Sequence, residues 1–282
     1  MAAGLVLIGM GLGGINGMTL DAIKEATEAD HRFYESYTAL WSDEDIIEFE
    51  KEVGEVKTVM RPEVENPTEI LELAKNSRVA LLVVGDPLQA TTHVDLQLRA
   101  LEIGVECKVV HGISITGLVT GAVGLSNYKF GRQTTLTYPY NGWVATSPLE
   151  VIALNRYQNL HTLVLLDLDP TGEGVGNQIP MKPKDAADSL FLMAEKLASN
   201  QESFNTDSAF ENMKAKACID ICENIRSLDI VLCSDMGTAS QNIVHTTIDG
   251  LKSLTKGRLH CLVIPAGLSE IEQNAIKRWS KN

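Results

Sequence analysis

The chain has 282 residues, with 37 acidic against 24 basic side chains, a formal net charge of −13 and 44% hydrophobic residues. A balance this acidic argues against a nucleic-acid partner, because phosphate binding rests on Lys and Arg. No apolar run approaches the roughly 18 residues that cross a bilayer, and Ala2-Ala3-Gly4 leads straight into a strand pattern without a basic signal segment. The expectation is a cytoplasmic protein of one large or two medium domains, with no membrane partner. Five scattered cysteines, at 107, 218, 222, 233 and 261, fit reduced thiols rather than a disulfide framework. Cys218 and Cys222 share a helix face at four-residue spacing. They read as packing residues, and the sequence offers no further ligands that would make them a metal site.

In chain order, residues 5–9 form a short apolar strand that runs into the glycine-rich turn Gly9-Met10-Gly11-Leu12-Gly13-Gly14. Residues 19–29 read as a helix, with Leu20, Ile23 and Ala26 at helical spacing, and 32–36 as a strand. Ser42 opens an acidic helix, with Asp45 at capping-box spacing, and 55–60 is a strand. Asn66-Pro67 starts the next helix, with Pro at its first position. Residues 79–84 are a strand, and 94–103 a helix that stops at Gly104. Residues 107–110 are a strand, and 113–124 a helix in which Gly117 and Gly121 are expected to pack closely. This alternation predicts a mostly parallel sheet.

Residues 125–132 break the alternation and mark a junction between two α/β domains, 1–125 and 126–282. In the second half, 134–138, 162–168, 229–234 and 258–264 read as strands. Residues 148–159, 184–198, 206–225 and 269–279 read as helices. The Gly- and Pro-rich stretch 169–180 reads as a loop, and 244–254 is ambiguous.

The motifs sit where strands end. Val83-Val84-Gly85-Asp86-Pro87-Leu88-Gln89-Ala90-Thr91-Thr92-His93 turns sharply at Gly-Asp-Pro and presents small or polar side chains before a helix. Open α/β sheets bind ligands at the carboxyl ends of their strands. Asp86 serves either its own turn or a ligand amine or hydroxyl. His111-Gly112-Ile113-Ser114-Ile115 follows the next strand, where Ser114 is either a helix cap or a ligand contact. His93 and His111 are candidates for acid–base work, though the sequence shows no carboxylate beside either. Gly9 to Gly14 also matches the GxGxxG dinucleotide fingerprint, with Glu35 about 20 residues on to take a ribose hydroxyl. This gives an alternative reading, an oxidoreductase binding NAD. Against it, Ile15-Asn16-Gly17 delays the helix to about Met18, whereas a pyrophosphate needs a helix N-terminus inside the glycine motif.

Taken together, Ile8-Gly9-Met10-Gly11-Leu12, Glu35-Ser36-Tyr37-Thr38, the Gly85–His93 run, His111 to Ile115, Tyr128-Lys129-Phe130-Gly131 and His161 to Asp167 resemble the diphthine synthases. These are methyltransferases of the tetrapyrrole methylase fold family. The resemblance is strong over residues 5–168 and weaker to about 267. It implies two α/β domains with the cofactor in the inter-domain cleft, and a homodimer. It also implies S-adenosylmethionine as methyl donor, S-adenosylhomocysteine as product, and translation elongation factor 2 as the protein substrate in diphthamide biosynthesis. By position, the cofactor contacts implied are Leu12, Asp86, Gln89, Ser114 and Ile115, with Leu166, Met236 and His260 from the second domain. Gln89 stands where relatives carry a small or apolar residue, and Gly13 and Gly14 also depart from the usual pattern. His93 is the candidate base. Whether three or four methyl groups are added is not legible, and a binding module that has lost turnover remains a third reading.

Overall fold

The computed structural model describes residues 2–140, 142–172, 175, 178–200, 204 and 206–280. Part of the expected 169–180 loop, at 173, 174, 176 and 177, lies outside the described residues. The chain separates into two compact units. Unit 1 is built from the chain up to Leu118 together with Gly237–Ala239. Unit 2 takes Val119–Gly172, Ile179–Met236 and the chain from Ser240.

Unit 1 runs β1 (Gly4–Gly9), α1 (Leu20–Thr27), β2 (His31–Glu35), α2 (Asp43–Val53), β3 (Lys57–Val59), α3 (Arg61–Glu65), α4 (Thr68–Ala74), β4 (Arg78–Val83), α5 (His93–Glu102), β5 (Cys107–Val110) and α6 (Ile115–Ala122), which runs past Leu118. Its sheet is wholly parallel, in the order β3-β2-β4-β1-β5. β1 and β4 read as continuous apolar runs because they are covered on both faces. Alternate residues point opposite ways: Leu5, Leu7, Val79, Leu81 and Val83 join one core cluster, and Val6, Ile8, Ala80 and Leu82 the other.

The order also explains the helix layers. After β1 the chain moves past β4 to β2 and on to β3, and α1 and α2 supply Ala22, Ala26, Phe49 and Val53 to one face. After β3 it reverses, and α4 and α5 supply Ile70, Ala74, Leu96 and Ala100 to the other. Right-handed crossovers require this change of face when the direction reverses. The loops leaving β1 and β4, which are neighbours, therefore depart to opposite sides. That is a topological switch point, where open α/β sheets form a ligand crevice.

Several boundaries differ from expectation. The helix expected at Asn66-Pro67 is α4, with Pro67 as its cap rather than its first residue, and a further short helix, α3, precedes it unannounced. Gly117 and Gly121 do not pack closely: a Cβ at either would meet nothing within 4 Å. α1 starts at Leu20, with the Thr19 hydroxyl accepting from the Ala22 N–H at 3.1 Å.

Unit 2 holds β6 (Thr134–Leu136), α7 (Ser147–Tyr157), β7 (Thr162–Leu166), α8 (Pro183–Ser199), α9 (Ala209–Glu223), β8 (Asp229–Ser234), β9 (Asn242–Thr247), α10 (Ile248–Leu251), β10 (His260–Ile264) and α11 (Glu270–Lys277). The sheet order is β6-β7-β10-β8-β9; β6 runs parallel to β7 and the other pairings are antiparallel. The ambiguous stretch 244–254 resolves into the end of β9 and the short α10. Helices α7 to α10 cover one sheet face, where Leu149, Leu190, Met193 and Ile221 meet Leu232 and Leu262. Cys218 is buried in this cluster and Cys222 packs against it, its thiol pointing to the Ala194 carbonyl at 3.6 Å. Among the described residues no helix is long and apolar enough to cross a membrane.

Candidate active site

The carboxyl edge of the unit 1 sheet is where three loops meet. The backbone ties the first two: Gly11 N–H donates to Gly85 O at 3.0 Å, and Gly85 N–H returns to Gly11 O at 2.9 Å. Met10 N–H also donates to Val83 O at 2.8 Å. The third loop closes against them at a point where side chains are excluded. A Cβ on Gly9 would lie 2.8 Å from both Gly112 Cα and Gly85 O, and one on Gly112 would collide with Gly85 O. Gly9 and Gly112 are glycines because three backbones share this space, and Gly85 because its backbone, at φ +82°, is in the left-handed region.

Asp86 clamps the loops. It is 4% exposed. Its Oδ1 accepts from Leu88 N–H at 2.9 Å, which shapes its own turn. Its Oδ2 reaches the β5 loop, accepting from Gly112 N–H at 3.3 Å and from His111 Nδ1 at 2.8 Å. The Oδ1 bond meets the turn reading left open by the sequence, and the Oδ2 bonds tie that turn to the β5 loop. Sequence reasoning missed the His111 partner, because Asp86 and His111 lie 25 residues apart. They meet because β4 and β5 both flank β1. The only available signal was that each residue lies within three positions of the end of its strand.

Ser114 caps α6 in the expected manner: its hydroxyl sits 3.0 Å from the Thr116 hydroxyl and accepts from Thr116 N–H at 3.3 Å. The Thr116 hydroxyl bonds in turn to the Gln89 side-chain oxygen, linking the β4 loop to the start of α6. Leu12, Ser114 and Ile115 are half-buried and Gln89 is exposed. Gly13, at φ +82°, approaches Gly237 so closely that a Cβ there would collide with the Gly237 carbonyl.

The histidine nominated as a base is placed differently. His93 is 1% exposed. Its Nδ1–H donates to Pro87 O at 2.9 Å, and its Nε2 lies 3.6 Å from Glu35 Oε2. The ring has no face for a substrate; it braces the Asp86-Pro87 turn from inside. Glu35 is 0% exposed and accepts from Tyr37 N–H at 3.0 Å, Thr38 N–H at 2.8 Å and the Thr38 hydroxyl at 2.8 Å. A carboxylate so enclosed cannot receive a ribose hydroxyl. A short 3-10 turn at Ile15–Gly17 separates the glycine motif from α1, so the helix that follows the motif does not begin inside it, as a pyrophosphate site requires. The dinucleotide reading is overturned on both counts.

In unit 2, Leu166, Met236 and His260 lie on or just past their strand ends. His260 opens β10 opposite Ser234 at the end of β8, with its Nδ1 2.8 Å from the Ser234 hydroxyl. Burial pushes the His260 imidazole pKa down, which Asp235 only partly offsets. Leu166 ends β7 and packs on the unit 2 core, and Met236 is buried. Among the described residues no group of His, Cys, Asp and Glu is arranged to hold a metal ion.

Comparisons with known proteins agree with this architecture. The family model of the tetrapyrrole (corrin/porphyrin) methylases matches residues 4–252. A diphthine synthase of Methanospirillum hungatei is 32% identical, covering 98% of this chain and 98% of its own length. A diphthine synthase of Methanocaldococcus jannaschii is 31% identical over 99% of each chain. A crystal structure of diphthine synthase superposes with a TM-score of 0.78 at 27% identity, covering 98% of this chain and 95% of that one.

Proposed function

Because the chain belongs to the diphthine synthases of the tetrapyrrole methylase family, we propose that this methyltransferase uses S-adenosylmethionine to methylate the modified histidine of translation elongation factor 2. The acceptor is an amino group at the end of a carbon chain built on the imidazole, and it is methylated repeatedly. One observation carries the choice of methyl donor. Three loops converge at the switch point of unit 1, and residues 9–18, 84–92 and 111–116 contain no Lys or Arg. Together with the late start of α1, this suits a ligand without phosphates.

The residues present fit a sulfonium nucleoside. Half-buried Leu12 and Ile115 offer apolar surface to a base. Backbone groups of the glycine turns offer donors and acceptors. Asp86 Oδ1 accepts one hydrogen bond in the structure and keeps acceptor capacity for an ammonium or hydroxyl. We assign cofactor contact to Leu12, Asp86, Gln89, Ser114 and Ile115. Leu166, Met236 and His260 are expected from the resemblance and are tested by substitution. The donor supplies an electrophilic methyl group, and the chain supplies alignment, which contributes several kcal/mol when amine and methyl are held in line. A homodimer is the proposed assembly, checked by sedimentation.

Calorimetry with S-adenosylmethionine, S-adenosylhomocysteine and NAD tests the reading. Binding of the first two without the third is the expected result. Binding of NAD alone would refute it.

A further inference from the structure

We propose that His111 is the base that removes the proton from the acceptor amine, oriented by Asp86; the inference rests on the methyl-transfer reading above. An ammonium nitrogen has no lone pair, so one proton must leave before each methyl arrives. A side chain that accepts this proton needs a free lone pair, an open face and a fixed orientation. His111 has all three. Asp86 Oδ2 lies 2.8 Å from Nδ1. A carboxylate oxygen accepts, so Nδ1 carries the hydrogen, and in the neutral ring Nε2 is the nitrogen with the lone pair. The imidazole side chain is 69% exposed while its carboxylate partner is buried. Leu88 N–H and Gly112 N–H hold that carboxylate in place. The pair bridges β4 to β5 across the end of β1, where Gly9 leaves the space clear.

The other five histidines fail one requirement or another. His93 and His161 are buried. His245 has both ring nitrogens engaged, by Ser280 at 3.1 Å and Asp229 at 3.3 Å. His260 is hydrogen-bonded to a serine rather than a carboxylate. His31 starts β2 and so sits at the amino edge of the unit 1 sheet. In the step assigned to His111, Nε2 takes a proton from the acceptor ammonium. The amine lone pair so released forms the N–C bond while the C–S bond breaks, its electron pair staying on sulfur. The imidazolium then returns its proton to water, ready for the next methyl.

His111→Ala should retain S-adenosylmethionine binding by calorimetry yet transfer methyl groups about a hundredfold or more slowly, with added imidazole restoring part of the rate. A readout independent of turnover is nitrogen-15 NMR of the ligand-free protein. It should show His111 protonated at Nδ1, and that preference should disappear in Asp86→Ala. A wild-type rate in His111→Ala, a slow variant that imidazole does not rescue, or an Nε2-protonated ring in the wild type would each overturn the assignment. Failure of the wild type to bind S-adenosylmethionine would overturn the methyltransferase reading itself, and this inference with it.

Discussion

Asp86 and His111 meet at 2.8 Å in unit 1, and Glu272 and His161 meet at 3.1 Å in unit 2. The chemistry of the two pairs is alike, but their surroundings are not. His161 is 0% exposed, and its Nδ1 accepts from Ala266 N–H at 2.9 Å. Its Nε2–H must therefore donate to Glu272, and no lone pair is left over. Glu272 also accepts from Ser126 N–H at 3.0 Å, Ser269 N–H at 2.8 Å and Lys129 Nζ at 3.3 Å. This second network joins segments far apart in sequence into one fold. The first keeps a ring nitrogen for chemistry. A carboxylate beside a histidine does not make a catalytic site; exposure of the far nitrogen decides between scaffold and reaction.

Four experiments test this contrast. The largest effect belongs to Glu272→Ala, which strands several buried donors at once. It should cost about 3–5 kcal/mol of stability, the usual consequence of removing one partner of a buried pair. Urea denaturation checks this, and a loss below about 1 kcal/mol would mean that the network is not a scaffold. Next is Gly112→Ala, whose methyl would collide with Gly85 O. A cost of about 1–3 kcal/mol is expected from overpacking, together with loss of S-adenosylmethionine binding in calorimetry. An Ala variant that binds normally would show that the three loops are not held as tightly as the structure has them.

Asp86→Ala follows. It releases Leu88 N–H, Gly112 N–H and His111, and should weaken S-adenosylmethionine about tenfold or more, equivalent to roughly 1.4 kcal/mol, while the fold is preserved. Unchanged affinity would remove Asp86 from the site.

The smallest effect is the response to pH. Burial pushes the His161 imidazole below its ordinary value of 6.5, with Glu272 only partly offsetting it. Stability from this group is complete above 6.5 and is lost as pH falls toward the depressed folded value. Burial alone would raise the Glu272 pKa, but the Ser269 and Ser126 N–H groups and the His161 ring outweigh it and hold the carboxyl far below its ordinary 4.5. Its contribution is present above 4.5 and erodes only in stronger acid. Thermal midpoints should therefore fall in steps as pH drops, first below 6.5 and again below 4.5. His161→Gln should shrink the first step, leaving the share of His260, whose imidazole burial also holds below its ordinary value; a first step of unchanged size would assign that loss to other groups.

The contrast also marks what the sequence could convey. Strands β1 and β4 were legible because burial on both faces gives continuous apolar runs, and the turn Gly85-Asp86-Pro87 marked the carboxyl end of β4 by local chemistry alone. The late start of α1 was legible from Ile15-Asn16-Gly17. What stayed hidden depends on strand order. No local pattern reveals that β1 lies between β4 and β5, and so that Asp86 faces His111 while Glu35 turns inward to its own loop. His161 likewise carries no sign of Glu272, 111 residues away. Helix α3, at five residues, is too short to show a hydrophobic period.

The central claim is that the loops closing over the switch point of unit 1 serve methyl transfer to translation elongation factor 2. The most direct measurement is mass spectrometry of that factor, isolated from a strain lacking the enzyme, after incubation with this protein and S-adenosylmethionine. The modified histidine should gain mass in whole methyl steps, and His111→Ala should slow every step taken at the amine. An unchanged mass, with the donor bound and the acceptor intact, would contradict it.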